Sequence, residues 1–392
     1  MKRVNGPEKA LYLNHGLSKP LAQRVARAMA TLLEESAVDP TLLPVDSGVA
    51  EASLAHARDR VAALVGARPQ EVLFTSGATE ANNLAIKGIG LEPGDEILVG
   101  ATEHTSVQYP ARTLEKHGIR VRWIPVQQDG RIDPGAIETA LGDASRLVAV
   151  AAAEPETGTL QQVEEIARCC RARGVPLLVN AAAAAGHVPI DVNSAGIDLL
   201  SLSAHKMGGP RGVGALVARE GLRVLPLIEG GVQEGGRRGG TENLMGIAGF
   251  GEAAGLAQRH LTDRAGRLRF LRERLWNSIR ERVNECVRHG NVDFCLPGHL
   301  SMSFPGAEGE SLLMGLWRRG IVASSGSACF AHAGKPSYVL RAMGVSEPLA
   351  QCSILFSLGE ELLDTDIDRI AEATKDVVGR LRRVSATAGG RG

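Results

Sequence analysis

The sequence predicts an α/β protein built on a mostly parallel sheet with helices on its faces. In the first part of the chain, short apolar runs that end at glycine or a polar turn alternate with helical patterns. This alternation is typical of parallel strands joined by crossover helices. We expect seven strands, at residues 71–74, 96–99, 120–124, 147–151, 177–179, 199–202 and 214–217.

The later part of the chain follows a different pattern. A long charged helix is predicted over 264–282, followed by apolar runs at 300–304 and 310–316 and an amphipathic helix over 364–383. With 392 residues, 44% of them hydrophobic, the chain can bury a large core. We expect a large domain at 15–255, a smaller α+β domain formed by 1–14 and 256–384, and a disordered tail at 385–392.

The charge balance favours a small-molecule substrate. Lysine plus arginine and aspartate plus glutamate both total 44, so no basic excess indicates a nucleic acid or a membrane surface as partner. The N-terminus lacks a signal-like apolar core, and no apolar run is long enough to span a membrane. The six cysteines show no metal-ligand spacing. We therefore expect a cytoplasmic protein with reduced thiols and no metal site.

A Ser-x-His-Lys run, Ser203 to Lys206, follows the predicted strand at 199–202 and precedes a glycine-rich turn. A lysine at the end of an apolar strand is partly desolvated, which lowers its pKa and favours a covalent bond to an aldehyde cofactor. Ser203 and His205 are placed to hold a cofactor phosphate. By itself the tetrapeptide also fits a solvated loop, so other segments must decide.

Two further segments carry groups suited to a phosphorylated, planar cofactor. Gly77, Ala78 and Thr79 follow a strand and open a helix, where backbone N–H groups bind phosphate, although an ordinary capped helix has the same pattern. His104 follows the next strand and could stack on a planar ring and move protons. A lone histidine is also common as a plain loop residue.

Cys329 lies in a loop of small residues, Ser324 to Cys329, that contains a glycine. Such a loop gives a thiol the exposure and freedom that a nucleophile needs. The alternative is a buried cysteine acting as a small apolar side chain. The polar surroundings favour a reactive thiol.

Together these segments resemble the cysteine desulfurases of the housekeeping iron–sulfur-cluster type, within the class V aminotransferase-like pyridoxal-phosphate enzymes. The resemblance runs from about residue 11 to residue 383. It implies a fold-type I transferase that binds pyridoxal 5'-phosphate, forms a homodimer and converts L-cysteine to L-alanine. The sulfur would remain as a persulfide on Cys329 and pass to an acceptor protein.

The resemblance also assigns roles to individual residues. Lys206, His104 and Cys329 would be catalytic, and Thr241 would reach the cofactor phosphate of the partner subunit. The implied cofactor-binding residues are Gly77, Ala78, Thr79, His104, Asn180, Ser203, His205, Lys206 and Thr241.

Four positions depart from the family pattern. Asn180 stands where the family has an aspartate against the ring nitrogen, and Ala183 and Pro155 stand where it has side chains that donate to the cofactor. Leu355 replaces the arginine that binds the substrate carboxylate, so a working desulfurase would need another group there, for which Lys19 and His15 are candidates. The changes leave three hypotheses: a working desulfurase, a pyridoxal-phosphate lyase or biosynthetic enzyme with another substrate, and a non-catalytic dimeric homologue.

Overall fold

The computed structural model describes residues 10–35, 44–325 and 336–389. Its largest sheet has seven strands, all parallel to their neighbours except β8, which is antiparallel to both of its neighbours. The strand order is β2-β8-β7-β6-β5-β3-β4. These strands are β2 (Val72–Thr75), β3 (Glu96–Gly100), β4 (Arg120–Ile124), β5 (Ser145–Ala151), β6 (Leu177–Asn180), β7 (Leu199–Ser203) and β8 (Gly214–Ala218).

The predicted α/β class and the mostly parallel seven-stranded sheet are confirmed. Each predicted strand coincides with an observed one, with ends that differ by two residues or fewer. The agreement arises because these strands are apolar runs bounded by turn residues, a signal contained within each segment.

Helices cover both faces of this sheet. Side chains alternate along the strands, so that Phe74 and Val148 belong to the core on one face while Leu73 and Leu147 belong to the core on the other. The helices from the first to the last of this region are α1 (Gln23–Glu35), α2 (Pro44–Leu64), α3 (Ala78–Gly88), α4 (Thr105–Glu115), α5 (Pro134–Ala140), α6 (Val163–Ala172), α7 (Val192–Ala195) and α8 (Leu244–Arg259).

A second hydrophobic core is formed by the later part of the chain together with Leu11 and Leu13. It contains a three-stranded antiparallel sheet in the order β12-β10-β9 and a parallel pair of β1 with β11. The elements of this core are β1 (Leu11–Tyr12), α9 (Leu261–Arg282), β9 (Val287–His289), β10 (His299–Ser303), α10 (Gly309–Trp317), β11 (Ile321–Val322), β12 (Ser353–Ser357) and α13 (Asp364–Gly389). Helices α11 (Tyr338–Ala342) and α12 (Glu347–Gln351) form a separate small apolar cluster that packs against Val126.

Two boundaries differ from the sequence-based expectation. Helix α8 runs unbroken through Gly255, and the chain changes core at the α8–α9 junction near His260 instead. Helix α13 continues through Ser385 to Gly389, so the expected disorder at 385–392 is wrong for residues 385–389. Alanine and threonine there extend an existing helix without a new nucleation step, so the extension costs little free energy. Residues 390–392 lie outside the described part.

Among the described residues, no helix is both long and apolar enough to cross a membrane. The division into two domains stays a prediction.

Candidate active site

A cavity of about 560 Å³ lies at the carboxyl ends of the parallel strands, where Asn180 ends β6 and Ser203 ends β7. Ligands of open α/β sheets bind at this edge because the loops that follow the strands meet there. The cavity is lined by Tyr12, Leu17, Ser18, Ser76, Gly77, Ala78, Thr79, His104, Ser106, Ala153, Pro155, Asn180, Ala182, Ala183, Ser203, His205, Lys206, Arg211 and Gly212.

Eight of the nine residues predicted to bind a cofactor line this cavity. They come from four loops that are distant in sequence, and the sheet brings them together. The eight are Gly77, Ala78, Thr79, His104, Asn180, Ser203, His205 and Lys206. The ninth, Thr241, is exposed and does not line the cavity of its own chain.

One end of the cavity is suited to an anion. Gly77 precedes α3 with a φ of 153°, a conformation that glycine tolerates, and its α-carbon faces open space: an added Cβ would meet only Ser203 Oγ, at 4.0 Å. No side chain of the described residues caps the first turn of α3, so its backbone N–H groups are available to a ligand. Ser203 Oγ and His205 Nδ1 lie 2.9 Å apart beside it. Burial lowers the pKa of His205 to about 4, so its ring is neutral near pH 7.

Lys206 lies in the single helical turn that follows β7. Its Nζ donates a hydrogen bond of 2.5 Å to the Gly16 carbonyl. The N-terminal segment thus crosses over the lysine, with Leu17 and Ser18 beside it on the cavity wall.

His104 is held in one orientation at the start of α4. Its Nδ1 accepts hydrogen bonds from the Ser106 N–H at 3.1 Å and the Ser106 hydroxyl at 2.8 Å, and that hydroxyl in turn accepts from Asn82 Nδ2. Burial, and then the charge of Lys206, lowers the pKa of His104. The imidazole is therefore neutral near pH 7 and carries its proton on Nε2.

Asn180 is fixed by three groups behind the cavity. Its Oδ1 accepts from Ala182 N and Ser201 Oγ, both at 3.3 Å, and its side chain also hydrogen-bonds to the Glu103 carboxyl. Glu103 is 2% exposed, and burial raises its pKa to about 8. A carboxyl group is thus present behind the neutral amide, one side chain further from the cavity.

Two more buried carboxyl groups flank Pro155. Glu154 accepts hydrogen bonds from the Glu156 and Thr157 N–H groups and the Thr157 hydroxyl, contacts that suit an ionised carboxylate. Burial and the neighbouring Glu154 raise the pKa of Glu156 well above its ordinary value. Ser337 Oγ contacts Glu156 Oε2 at 2.7 Å, which ties the chain after residue 335 to this wall.

The residues that depart from the family pattern do not all lie in the cavity. Pro155 and Ala183 line the cavity and offer it no side-chain donor. Leu355 is buried in β12 and does not reach the cavity lining. Cys329 lies within residues 326–335, outside the described part of the chain.

Lys19 and His15 do not supply the missing carboxylate contact. Lys19 Nζ lies 3.3 Å from Glu360 and His15 Nε2 lies 3.0 Å from Glu361, and neither residue lines the cavity.

Sequence reasoning missed the wall formed by Tyr12, Ser18 and Arg211. The available signal was an arginine in the Gly-Pro-Arg-Gly turn shortly after Lys206. Tyr12 and Ser18 carried no comparable signal, because only the packing of the N-terminal segment across Lys206 brings them to the site.

Comparisons with known proteins agree with this fold. The aminotransferase class-V family profile matches residues 12–370. Cysteine desulfurase IscS of Pectobacterium carotovorum subsp. carotovorum (strain PC1) is 39% identical over 383 residues, spanning 96% of this chain and 94% of the relative. A mitochondrial cysteine desulfurase of Arabidopsis thaliana is 39% identical over 98% of this chain and 86% of the relative.

Solved structures point the same way. A NifS-like protein superposes with a TM-score of 0.89 at 29% identity, covering 94% of this chain and 99% of that one. SspA in complex with cysteine superposes with a TM-score of 0.79 at 29% identity, covering 90% of this chain and 100% of that one.

The fold, with its cavity at the carboxyl edge of a mostly parallel sheet, is that of a class V aminotransferase. The chain belongs to the aminotransferase class-V family and, within it, to the cysteine desulfurases. Enzymes of this family depend on pyridoxal 5'-phosphate, and the predicted fold-type I transferase is confirmed.

Proposed function

We propose that this protein is a pyridoxal-phosphate-dependent cysteine desulfurase, which converts L-cysteine to L-alanine and leaves the sulfur as a persulfide on Cys329. One observation carries the proposal: Lys206, His104, Asn180 and the open backbone at Gly77 converge on a single cavity.

The described residues fit the cofactor. The bare backbone at Gly77 and the polar groups of Ser203 and His205 suit its phosphate, and Asn180 suits its ring nitrogen. The amine of Lys206 would hold its aldehyde carbon. When bound, pyridoxal phosphate supplies an electron sink for the charge left on the substrate Cα after deprotonation.

The protein side chains would then move the protons. The amine of Lys206 would be the base available to remove the substrate Cα proton. His104, a neutral group with its proton on Nε2, would move a second proton in the same cavity.

The sulfur step needs no outside oxidant. The Cys329 thiolate would attack the substrate sulfur, so that an S–S bond forms as the C–S bond breaks, and the electron pair of the C–S bond goes to carbon, which is protonated. The products are L-alanine and a persulfide, whose outer sulfur an acceptor protein would receive. The nucleophile is assigned from its sequence context, since residues 326–335 lie outside the described part.

Pro155 and Ala183 favour a second candidate, a pyridoxal-phosphate lyase or biosynthetic enzyme acting on another substrate. Both face the cavity and neither donates a hydrogen bond from its side chain. A substrate or ring contact made there in the family has no counterpart in this chain. The third hypothesis, a non-catalytic dimeric homologue, predicts weak cofactor binding and no effect of Cys329→Ala.

We also propose a homodimer in which Thr241 serves the cavity of the partner subunit. Thr241 is exposed and outside its own cavity, while the nearby Leu227, Ile228 and Val232 expose 42%, 41% and 87% of their surface. Apolar side chains grouped on a surface mark an interaction site. For the cellular location we propose the cytoplasm, since the five described cysteines form no disulfide.

The test combines spectra with a product assay. Addition of pyridoxal phosphate to the wild type is expected to give a bound-cofactor absorbance band that Lys206→Ala loses and Lys87→Ala, at an exposed lysine, retains. With L-cysteine, the wild type and Cys286→Ala should release sulfide when a reductant is present. Cys329→Ala should keep the band and release none.

Each contrary outcome has a distinct meaning. A normal band without sulfide from wild-type enzyme would support another substrate, and a protein that binds no cofactor would support the non-catalytic homologue.

A further inference from the structure

Arg211 places a guanidinium group on the wall of the cavity. Its Nε donates to Ser18 Oγ at 3.4 Å, and the Tyr12 hydroxyl donates to the Ser18 carbonyl at 2.9 Å. All three residues line the cavity. In the described part of the chain, the two Nη atoms of Arg211 have no hydrogen-bond partner.

The positive charge of Arg211 is felt by its neighbours. It lowers the pKa of His205, after the effects of burial and Lys206, and it opposes the rise that burial causes in the pKa of Tyr12. The ring of His205 is neutral, so this wall has a permanent cation and no fixed negative charge among its described lining residues.

An amino-acid substrate brings a carboxylate that needs a partner. Leu355 is apolar and outside the cavity, while Lys19 and His15 lie against Glu360 and Glu361. Lys206 is required for the cofactor. Among the lining residues in the described ranges, Arg211 is the arginine that remains.

We propose that Arg211, positioned by Ser18 and Tyr12, binds the α-carboxylate of the amino-acid substrate. The proposal rests on the function proposed above. Guanidinium matches a carboxylate with two parallel hydrogen bonds, which orients the ligand as well as attracting it. The cofactor phosphate is the other oxyanion of this cavity, but the Gly77 backbone, Ser203 and His205 already suit it.

The experiment compares two ligands that differ in the carboxylate. The holoenzyme is titrated with L-alanine and with L-alaninamide, and binding is followed through the absorbance of the bound cofactor. Arg211→Gln is expected to raise the dissociation constant of L-alanine by about tenfold or more. The dissociation constant of L-alaninamide should change by less than about twofold. Arg211→Lys, which keeps the charge, should recover part of the loss. Arg223→Gln, at an exposed arginine outside the cavity lining, should match the wild type for both ligands.

The affinity for pyridoxal phosphate is measured on the same variants. A loss of cofactor affinity with unchanged L-alanine binding would assign Arg211 to the phosphate and overturn the proposal. Equal weakening of both ligands, or a wild type that binds the two alike, would also overturn it. These readouts do not use sulfide release, so a failed desulfurase assay remains distinguishable from a failed carboxylate site.

Discussion

At the scale of single residues, Asn180 and Glu103 form the least expected feature of the site. A neutral amide meets the cavity, and a buried carboxyl group lies behind it, connected by a hydrogen bond. Glu103 Oε2 has no partner within the described residues, which an ionised carboxylate could not tolerate cheaply. Protonation of Glu103 therefore stabilises the folded protein.

The pH dependence of that contribution has a definite sign. In the folded protein Glu103 keeps its proton up to about pH 8, whereas its ordinary pKa is 4.5. The stabilisation is complete below the ordinary pKa and is lost as the pH rises through the folded pKa. We expect wild type to lose stability relative to Glu103→Gln between pH 5 and 8.5, by roughly 1 kcal/mol per pH unit.

Urea unfolding of the apoprotein at several pH values measures this difference. Glu164→Gln, at an exposed glutamate, is the matched control and should follow the wild type throughout. A difference between Glu103→Gln and wild type that stays constant from pH 5 to 8.5 would show that Glu103 titrates normally.

At the scale of elements, the loop after β5 connects the cavity to the small antiparallel sheet. Gly158 lies in this loop with a φ of 79°, and its carbonyl accepts from the Leu296 N–H at 2.8 Å. An added Cβ would lie 2.7 Å from His299 Cβ and 2.9 Å from Cys295 Sγ. Loop and sheet can pack this closely only because residue 158 has no side chain.

Substitution of Gly158 separates crowding from backbone strain. Gly174 has a similar φ of 63° but open space around it, so Gly174→Ala should cost only the conformational penalty of about 1 to 2 kcal/mol. Gly158→Ala should cost about 1 to 3 kcal/mol more, because its Cβ overlaps two side chains. Denaturant unfolding of both variants checks this, and equal losses would mean that the sheet moves away freely.

At the scale of the whole molecule, the segment from Leu225 to Thr241 carries the proposed dimer contact. The segment folds back on itself, with the Gly239 N–H donating to the Ile228 carbonyl at 2.9 Å. Val232 is 87% exposed at its tip, and Thr241 follows at its end. A dimer through this surface would cover the apolar side chains and supply a hydroxyl to a second cavity.

Val232→Asp tests the dimer. A buried, unpaired carboxylate in the interface should raise the dissociation constant by about tenfold or more, and cofactor affinity should fall with it if Thr241 acts across subunits. Val292→Asp, at another exposed valine, provides the control. Analytical ultracentrifugation measures the mass of each protein in solution. A monomeric wild type would contradict the proposed surface, and so would a Val232→Asp dimer as tight as that of the control.

Much of the fold follows from signals contained in short segments. The apolar run from Leu199 to Leu202 and the Ser-x-His-Lys turn after it are local, so both the strand and the place of Lys206 were predictable. The end of α13 was not, because disorder near a terminus and continuation of a helix differ by little free energy per residue.

The sequence by itself determined the strands of the large sheet, the family and eight residues that line the cavity, because each signal lies within a few neighbouring positions. Only the tertiary structure decided that Lys206 lies beneath Gly16, 190 positions away, and that Leu355 stays outside the cavity. It also placed Arg211 beside Ser18 and Glu103 behind Asn180. Contacts of this kind depend on how separate elements pack, since burial and charge act between residues close in space, whatever their separation in sequence.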